Sequence, residues 1–441
     1  MDARPVSLDL SGRRVLVVGL GRSGRAAALL ARSEGAVVTC TDLRSDVATV
    51  EGCAMVLGGH RREDFLAADL VIVSPGVPAT QPDLAAAAAT GVPILGELAF
   101  AAERITAPVV AVTGTNGKST VTHFTGLLLE AAGRRCFVGG NLGRPLSEAV
   151  LGSTAWDVVV VEVSSYQMEW PGTFAPAAAC ILNLTPDHLA RHGTMEAYAA
   201  AKVRVFERMG PGGLAVLPAG DARLARCAQG TGGRRAWIGD LPGVRLDGDL
   251  VRLDLGQGTV HDVPLAGLSV PGRHNAWNAG VAALLAHGMG VAPGALDLGV
   301  LHALPHRMEP VVVVGGVAWI NDSKATNVAS AVTGLAGLDA PLVVLLGGDG
   351  KEGEDYARLA PALARARAVI CFGRTGPVIA RALEGLPLHT VGPMADAVAL
   401  ARRLARPGDA VVLSPACASF DEFRSFENRG DVFRALAREA T

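Results

Sequence analysis

Residues Ala111–Phe124 read AVTGTNGKSTVTHF, a turn of glycine, lysine and serine between an apolar run and a helix-forming stretch. A phosphate loop of the usual length places a glycine five residues before its Gly-Lys pair. Here Val112 holds that position, and the nearest glycine, Gly114, comes two places later. The turn is a damaged loop, a chance match, or a shorter loop of its own kind. Its setting favours phosphate: PVVAVTG before it has the composition of a buried strand, and Gly133 ends the helix behind it. At such a junction, free N–H groups and the helix dipole favour an anion. Gly114, Thr115, Asn116 and Gly117 form the turn, Lys118 offers a cation for β- and γ-phosphates, and the Ser119 hydroxyl suits a Mg2+ shell.

On both sides of this turn, short β-branched runs alternate with alanine-rich helical stretches, the pattern of parallel sheets in an α/β chain. Toward the N-terminus, RRVLVVG, GRAAALLARSEG and AVVTCTD make one strand–helix–strand unit, continued by DLVIVSPGV and VPIL. Beyond the turn the series runs through DVVVVEVSS, ACILNL and GLAVL to the helix HNAWNAGVAALLAHG. Residues 231–264, rich in glycine and aspartate with an alternating VRLDL, read as a small β excursion. From Pro305 a third series brings PLVVLLGG, AVICFG and DAVVLSPA, with helices such as MADAVALARRLA between them. A chain of 441 residues exceeds one ordinary core. Boundaries near 103 and 304 divide it into spans 1–103, 104–303 and 304–441.

Half the residues are hydrophobic and 19% are charged, as in globular proteins. A formal net charge of −2 removes any general argument for nucleic acid or an anionic membrane as partner. The seven cysteines are dispersed without a close pair, which reads as reduced thiols and not as a disulfide or zinc framework. Met1–Arg14 has no apolar signal stretch, and the apolar runs fall far short of the about 18 residues that span a bilayer. The expectation is a cytoplasmic protein without membrane insertion.

Four further constellations carry chemistry. Gly19-Leu-Gly21-Arg22-Ser23-Gly24 follows a strand and opens a helix, and Asp42 ends the next strand, the context of a dinucleotide fingerprint. Such glycines serve phosphate binding or plain strand–helix packing; a phosphate ligand is the better reading, NAD itself the lesser one, and Arg44 is a second phosphate contact or a solvated loop charge. Glu162 closes the valine run VVVVEVSS, where α/β sheets place metal ligands. His188 and His192, in DHLARH, have the spacing of a zinc pair, but Leu189 stands where a zinc protease needs glutamate, so one functional histidine is the better reading. Thr194 reads as a helix N-cap with Glu196 in the first turn. Lys202 on that helix is, by physics alone, an ordinary lysine lying along the surface. In the third series NDSKATN (321–327), GGDGK (347–351) and SPACASFDEFRSFENRG (414–430) are polar clusters after apolar strands, which together argue for a substrate surface.

Taken with VEVSSYQME, NLTPDHLARHGTMEAYAAAK, GRHNAWNA and HRME, these stretches resemble the Mur ligases from Gly19 almost to the C-terminus. NDSKATN with SPACASFDEF most resembles the members that add D-glutamate. The resemblance implies three α/β domains, Rossmann-like, P-loop ATPase-like and Rossmann-like in turn, with the turn at Gly114 intact in the family's shorter form. It implies an ATP-dependent, ADP-forming ligase that activates the carboxylate of UDP-N-acetylmuramoyl-L-alanine as an acyl phosphate for attack by D-glutamate. Lys118, Ser119 and Thr120 then hold ATP phosphates, Glu162 and His188 serve two Mg2+ sites, and Lys202 matches a carbamylated lysine that becomes a metal ligand. Asn278, Arg307 and Asp322 match positions around the base, phosphate and ribose of ATP. Lys324, Thr326, Lys351, Ser419 and Phe426 match the D-glutamate region, and Asn141 a residue near the muramoyl group. Gly21, Arg22, Ser23, Asp42, Arg44 and Ser74 fall to the UDP end and not to NAD. A monomer is expected. Leu43 departs from the pattern where a hydroxyl would meet the UDP. Alternatives are a sister ligase, a folylpolyglutamate synthase-like ligase, an NAD(P)-dependent oxidoreductase using Gly19–Gly24, or a nucleotide-binding module without catalysis.

Overall fold

The computed structural model describes residues 9–141, 143–270, 272–351 and 353–439. They pack as two compact units, Met1–Ala266 with Asn278–Val300, and Gly267–Trp277 with Leu301–Thr441. Among the described residues three sheets form, each mostly parallel, and no helix is long and apolar enough to cross a membrane.

The first sheet has strands β1 (Arg14–Val18), β2 (Val37–Asp42), β3 (Ala54–Leu57), β4 (Leu70–Val73) and β5 (Ile94–Gly96) in the order β3-β2-β1-β4-β5, all parallel. The chain runs outward from β1 on one side and returns at β4 on the other. The turns after β1 and β4 therefore face a crevice at the point where strand order reverses. Val17, Val18 and the strand LVIV of β4 are buried, since β-branched residues suit a sheet covered by helices on both faces.

The second sheet repeats the device. Its strands are β6 (Val109–Thr113), β7 (Cys136–Gly140), β8 (Val158–Glu162), β9 (Ala178–Ile181), β10 (Leu214–Pro218), β11 (Arg234–Ile238), β12 (Gly243–Asp247), β13 (Leu250–Asp254) and β14 (His261–Pro264). They lie in the order β14-β13-β12-β11-β10-β9-β6-β8-β7. With β8 and β9 flanking β6, the turns after all three converge, and register puts Val112 level with Glu162 and Cys180. The segment 231–264 is β structure within this sheet: β11 and β12 extend it in parallel, and β12–β14 finish it as an antiparallel meander.

The third sheet, in the second unit, has β15 (Glu309–Val314), β16 (Val317–Asn321), β17 (Leu342–Gly347), β18 (Ala366–Phe372), β19 (Leu388–Thr390) and β20 (Ala410–Leu413), ordered β15-β16-β20-β17-β18-β19 with only β15 antiparallel. The three polar clusters of the sequence follow β16, β17 and β20, which are neighbours.

Candidate active site

The turn after β6 is a rigid cradle. Gly114 and Gly117 have φ of 143° and 82°, conformations that side chains rarely adopt. A Cβ on Gly114 would stand 3.0 Å from that of Leu182, and one on Gly117 would stand 2.9 Å from Asn278 Oδ1. Asn278, on the helix Arg273–Gly288, thus lies directly beside the turn. Asn183, just after β9, locks the turn from below: its Oδ1 accepts from the N–H groups of Thr115 (3.2 Å) and Asn116 (2.9 Å), and its Nδ2 donates to Asn116 O (3.0 Å). The Thr115 hydroxyl donates to Thr185 O (3.2 Å) and lies 3.2 Å from the Tyr198 hydroxyl. Each such buried polar group left unmet would cost roughly 1–3 kcal/mol.

Two lysine amines meet on one carbonyl. Lys118, first residue of the helix Lys118–Ala131, donates from Nζ to Gly114 O (3.1 Å) and Thr115 O (2.8 Å), and Lys202 Nζ donates to the same Gly114 O (2.8 Å). Lys202 is 2% exposed, with its Nζ 4.5 Å from the Tyr198 ring centroid, so the surface reading of this lysine is corrected. Its helix, Met195–Val203, is capped as expected by Thr194, whose side chain accepts from Ala197 N–H. Burial, then the charge of Lys118, pushes the Lys202 amine well below its ordinary pKa, against the pull of Asp187 and Glu162.

Glu162 is buried at 3% exposure; its Oε2 accepts from the Ser119 hydroxyl and its Oε1 from Asn141 Nδ2 (2.7 Å). Thr120 is half-buried in the first turn of the same helix as Ser119. His188 and His192 pack on the same two rings, with centroids 5.0 and 5.7 Å from Tyr166 and 6.4 and 5.3 Å from Tyr198, but their hydrogen bonds differ. His188 sits at φ 54° ahead of the short helix Leu189–His192, with Nδ1 3.0 Å from the Tyr166 hydroxyl and Nε2 3.5 Å from Asp187 Oδ2. His192 Nε2 instead lies 2.9 Å from the Ser165 hydroxyl. Arg191 pairs with Glu169 (2.6 Å) and reaches Val77 O (2.9 Å), tying this loop to the turn region after β4. Among the described residues no three of His, Cys, Asp and Glu gather as a metal cluster. Oxygen donors, the Ser119 hydroxyl and the Glu162 carboxylate, are nevertheless the set a hard cation takes.

A cavity of about 790 Å³ opens at the first sheet's crevice, lined among others by Gly21, Arg22, Ser23, Ser74, Arg44 and Asn141. Gly21 precedes the helix Arg22–Ser33, and the Ser74 hydroxyl donates to Gly19 O (2.6 Å). Arg22 Nη1 donates to Gly143 O (3.1 Å). The Asp42 carboxylate, assigned by resemblance to the UDP end, has internal partners: Leu20 N–H (2.7 Å), Arg44 N–H (2.9 Å) and the Arg44 guanidinium (3.2 Å). Burial opposes its charge, but the Arg44 hydrogen bond and these N–H groups hold its pKa below the usual range. Leu43 is 70% exposed at the cavity wall. Asn141, lining this cavity while bound to Glu162, links it to the phosphate turn.

In the second unit, the loops after β16, β17 and β20 close together. Asp322 is buried, accepting from Met308 N–H (3.2 Å) and the Ser414 hydroxyl (2.8 Å), and burial pushes its pKa up to about 7. Lys324 Nζ lies 3.8 Å from the Phe426 ring centroid. Thr326 N–H donates to Lys324 O (2.8 Å), Ser419 is buried, Lys351 is exposed, and Arg307 is half-buried. Asp349 pairs with Ala418 across the loops after β17 and β20. Asn183, Tyr166, Tyr198, Arg191 and Arg429 were not singled out in the sequence, because nothing but loop-to-loop hydrogen bonding distinguishes them.

Family models match three stretches: the Mur ligase MurD-like N-terminal domain over residues 13–96, the Mur ligase middle domain over 112–286, and the Mur ligase glutamate ligase domain over 306–417. The chain is 43% identical over 456 aligned residues to the UDP-N-acetylmuramoylalanine–D-glutamate ligase of Myxococcus xanthus, covering 98% of this chain and 99% of that protein. It is 44% identical to the enzyme of the same name from Anaeromyxobacter dehalogenans, covering 98% of each. Among solved structures, the MurF ligase of Thermotoga maritima in complex with ADP superposes with a TM-score of 0.62 at 14% identity, covering 98% of this chain and 96% of that one. The UDP-N-acetylmuramate-alanine ligase of the same organism gives 0.60 at 18%, covering 97% and 100%, so the fold is shared well beyond recognisable sequence. On the strength of its near full-length relatives, the chain belongs to the Mur ligase family.

Proposed function

We propose that this chain is an ATP-dependent, ADP-forming amide ligase that joins D-glutamate to the alanyl carboxylate of UDP-N-acetylmuramoyl-L-alanine, a step of peptidoglycan precursor synthesis in the cytoplasm. The observation that carries the reading is the convergence of Lys118 and Lys202 on Gly114 O beside buried Glu162. The Lys118 cation at a helix N-terminus, with the Lys202 amine and the Glu162 carboxylate beside it, suits a reaction that brings a nucleotide triphosphate and a carboxylate together. The relatives' name supplies the substrates.

In this reading the alanyl carboxylate takes the γ-phosphoryl group of ATP, giving an acyl phosphate and ADP. The D-glutamate amine attacks the acyl carbon, and phosphate leaves as the amide forms. The turn Gly114–Gly117 and Lys118 orient the phosphates and offset their charge. Ser119, Glu162 and His188 are the residues that would hold Mg2+, two ions in all, and the metal, when bound, supplies further charge neutralisation. Lys202 would join them as a carbamate, formed when its neutral amine takes up CO2 and loses a proton. Burial beside the Tyr198 ring and the phosphate turn favours that neutral amine.

The spans divide the work accordingly: 1–103 holds UDP through Gly21, Arg22, Ser23, Asp42, Arg44 and Ser74; 104–303 holds ATP; 304–441 receives D-glutamate at Lys324, Thr326, Lys351, Ser419 and Phe426. Asn141 is assigned to the muramoyl group, and Asn278, Arg307 and Asp322 to ATP. The enzyme acts as a monomer. ADP release measured against a panel of amino acids, with UDP-N-acetylmuramoyl-L-alanine present, tests the reading. Release that depends on D-glutamate supports it; release driven by another amino acid assigns the chain to a sister reaction.

A further inference from the structure

Arg429 is wholly enclosed, yet it has no part in the chemistry above. It lies in the first turn of the helix Phe426–Arg438, the end at which the dipole disfavours a cation. Nε donates to Ser323 Oγ (2.9 Å), Nη1 to Ala418 O (2.9 Å), and Nη2 to Ser323 O (2.8 Å) and Cys417 O (3.0 Å). Among the described residues none of its hydrogen-bond partners is a carboxylate. Burial pushes its pKa down to about 10, with Asp421, Asp322 and Glu422 acting in the opposite sense. A buried cation without a direct counter-ion is costly, and an apolar side chain of similar volume would avoid that cost.

What the guanidinium does, and an apolar side chain cannot, is join backbones. It ties the loop after β16 at Ser323 to the loop after β20 at Cys417 and Ala418. Ser323 Oγ passes the connection on by donating to Phe426 O (2.8 Å). The next residues along these same backbones are Lys324 and Ser419. Ala416, in the loop being held, has φ 58°, a conformation disfavoured for a residue with a Cβ and kept only where surroundings enforce it.

We propose that Arg429 is the positioning residue of the amino-acid site: it fixes the spacing between Lys324 and Ser419 so that both meet the carboxylates of one acidic amino acid. This rests on the ligase reading above. Arg429→Lys keeps the charge, but one ammonium cannot reproduce a planar fork spread over three residues. In the full-length enzyme the variant raises KM for D-glutamate about tenfold or more. KM for ATP and for the UDP substrate stays within about twofold, and the thermal transition stays cooperative. A KM for D-glutamate within about twofold of the unsubstituted enzyme, or a parallel rise of all three KM values, overturns the proposal. Should Arg429→Lys fail to fold, Ser323→Ala, which removes only the hydroxyl relay, carries the same test with an expected rise of about threefold confined to D-glutamate. An unsubstituted enzyme that does not ligate D-glutamate would remove the functional reading and this inference with it. A competent enzyme whose variants bind D-glutamate normally removes the inference alone.

Discussion

Gly19–Gly24 and Gly114–Ser119 each leave the carboxyl end of a buried parallel strand and enter a helix at its N-terminus, yet different side chains close round them. The first turn opens on a cavity of about 790 Å³ and has Arg44 paired to Asp42. The second is locked from below by Asn183 and carries Lys118, Lys202 and Glu162 at one spot. One backbone device thus serves two ends. Left open, with its charge satisfied internally, it suits holding a large ligand; with the Lys118 cation crowded against the Lys202 amine and Glu162, it suits neutralising anions as they react. Substitutions at the first turn should therefore change binding, and those at the second should change turnover.

The largest expected effect is that of Lys118→Ala, which lowers kcat about a hundredfold or more while the thermal transition is kept. ADP release beside thermal melting measures both; a folded variant with most of its activity would remove the division between the turns. Lys202→Ala comes next: if the proposed carbamate on Lys202 is a metal ligand, the variant loses most turnover. Formate or acetate should restore part of it, and chloride at equal ionic strength should not. Full activity in the variant would return Lys202 to a packing role.

Glu97 tests whether the two turns are held as one body. It begins the helix after β5, and its Oε1 accepts from the Ser147 N–H and hydroxyl (2.7 Å each), at the start of the helix Ser147–Leu151 beyond β7. Burial raises its pKa to about 6, with Ser147 pulling the other way. A carboxyl raised in the folded state gives stability that is present below the unfolded pKa and is lost as pH rises through the folded one. From about pH 4 to pH 7 the native state thereby loses about 2 kcal/mol that Glu97→Gln does not lose. The difference in melting temperature between the two proteins should shift in favour of the variant over that window, and a constant difference would count against the buried joint. Asp42→Asn has the smallest expected effect, raising KM for the UDP substrate about tenfold as Arg44 is released, with kcat and KM for ATP unchanged. A fall in kcat would blur the contrast between the turns.

The strands and both glycine turns were readable in the sequence because β-branched runs and glycines mark them directly. Lys202 was not: a lysine among alanines suits a solvated face as well as a buried one, and only tertiary packing against Tyr198 and Gly114 decides between them. The spacing of His188 and His192 is that of a zinc pair, and Leu189 in place of glutamate leaves one functional histidine as the better reading. With φ of 54°, His188 stands ahead of the helix, and the two rings take different hydrogen-bond partners while packing on the same two tyrosines, Tyr166 and Tyr198. In residues 231–264 the alternating VRLDL marks β structure, but glycine and aspartate interrupt it, and only the pairing with β10 shows how it joins the sheet. Asn183 and Arg429 act on backbone groups of distant loops, which no local pattern announces.

The division between a binding turn and a reacting turn requires that the alanyl carboxylate itself takes phosphate at Lys118. Doubly 18O-labelled alanyl carboxylate in UDP-N-acetylmuramoyl-L-alanine, incubated with ATP, Mg2+ and D-glutamate, tests this at the level of single bonds. Mass spectrometry of the released phosphate should find one labelled oxygen per amide formed, because the acyl–oxygen bond breaks when the amine attacks. Amide formed with unlabelled phosphate would contradict the acyl phosphate and the role given to the second turn.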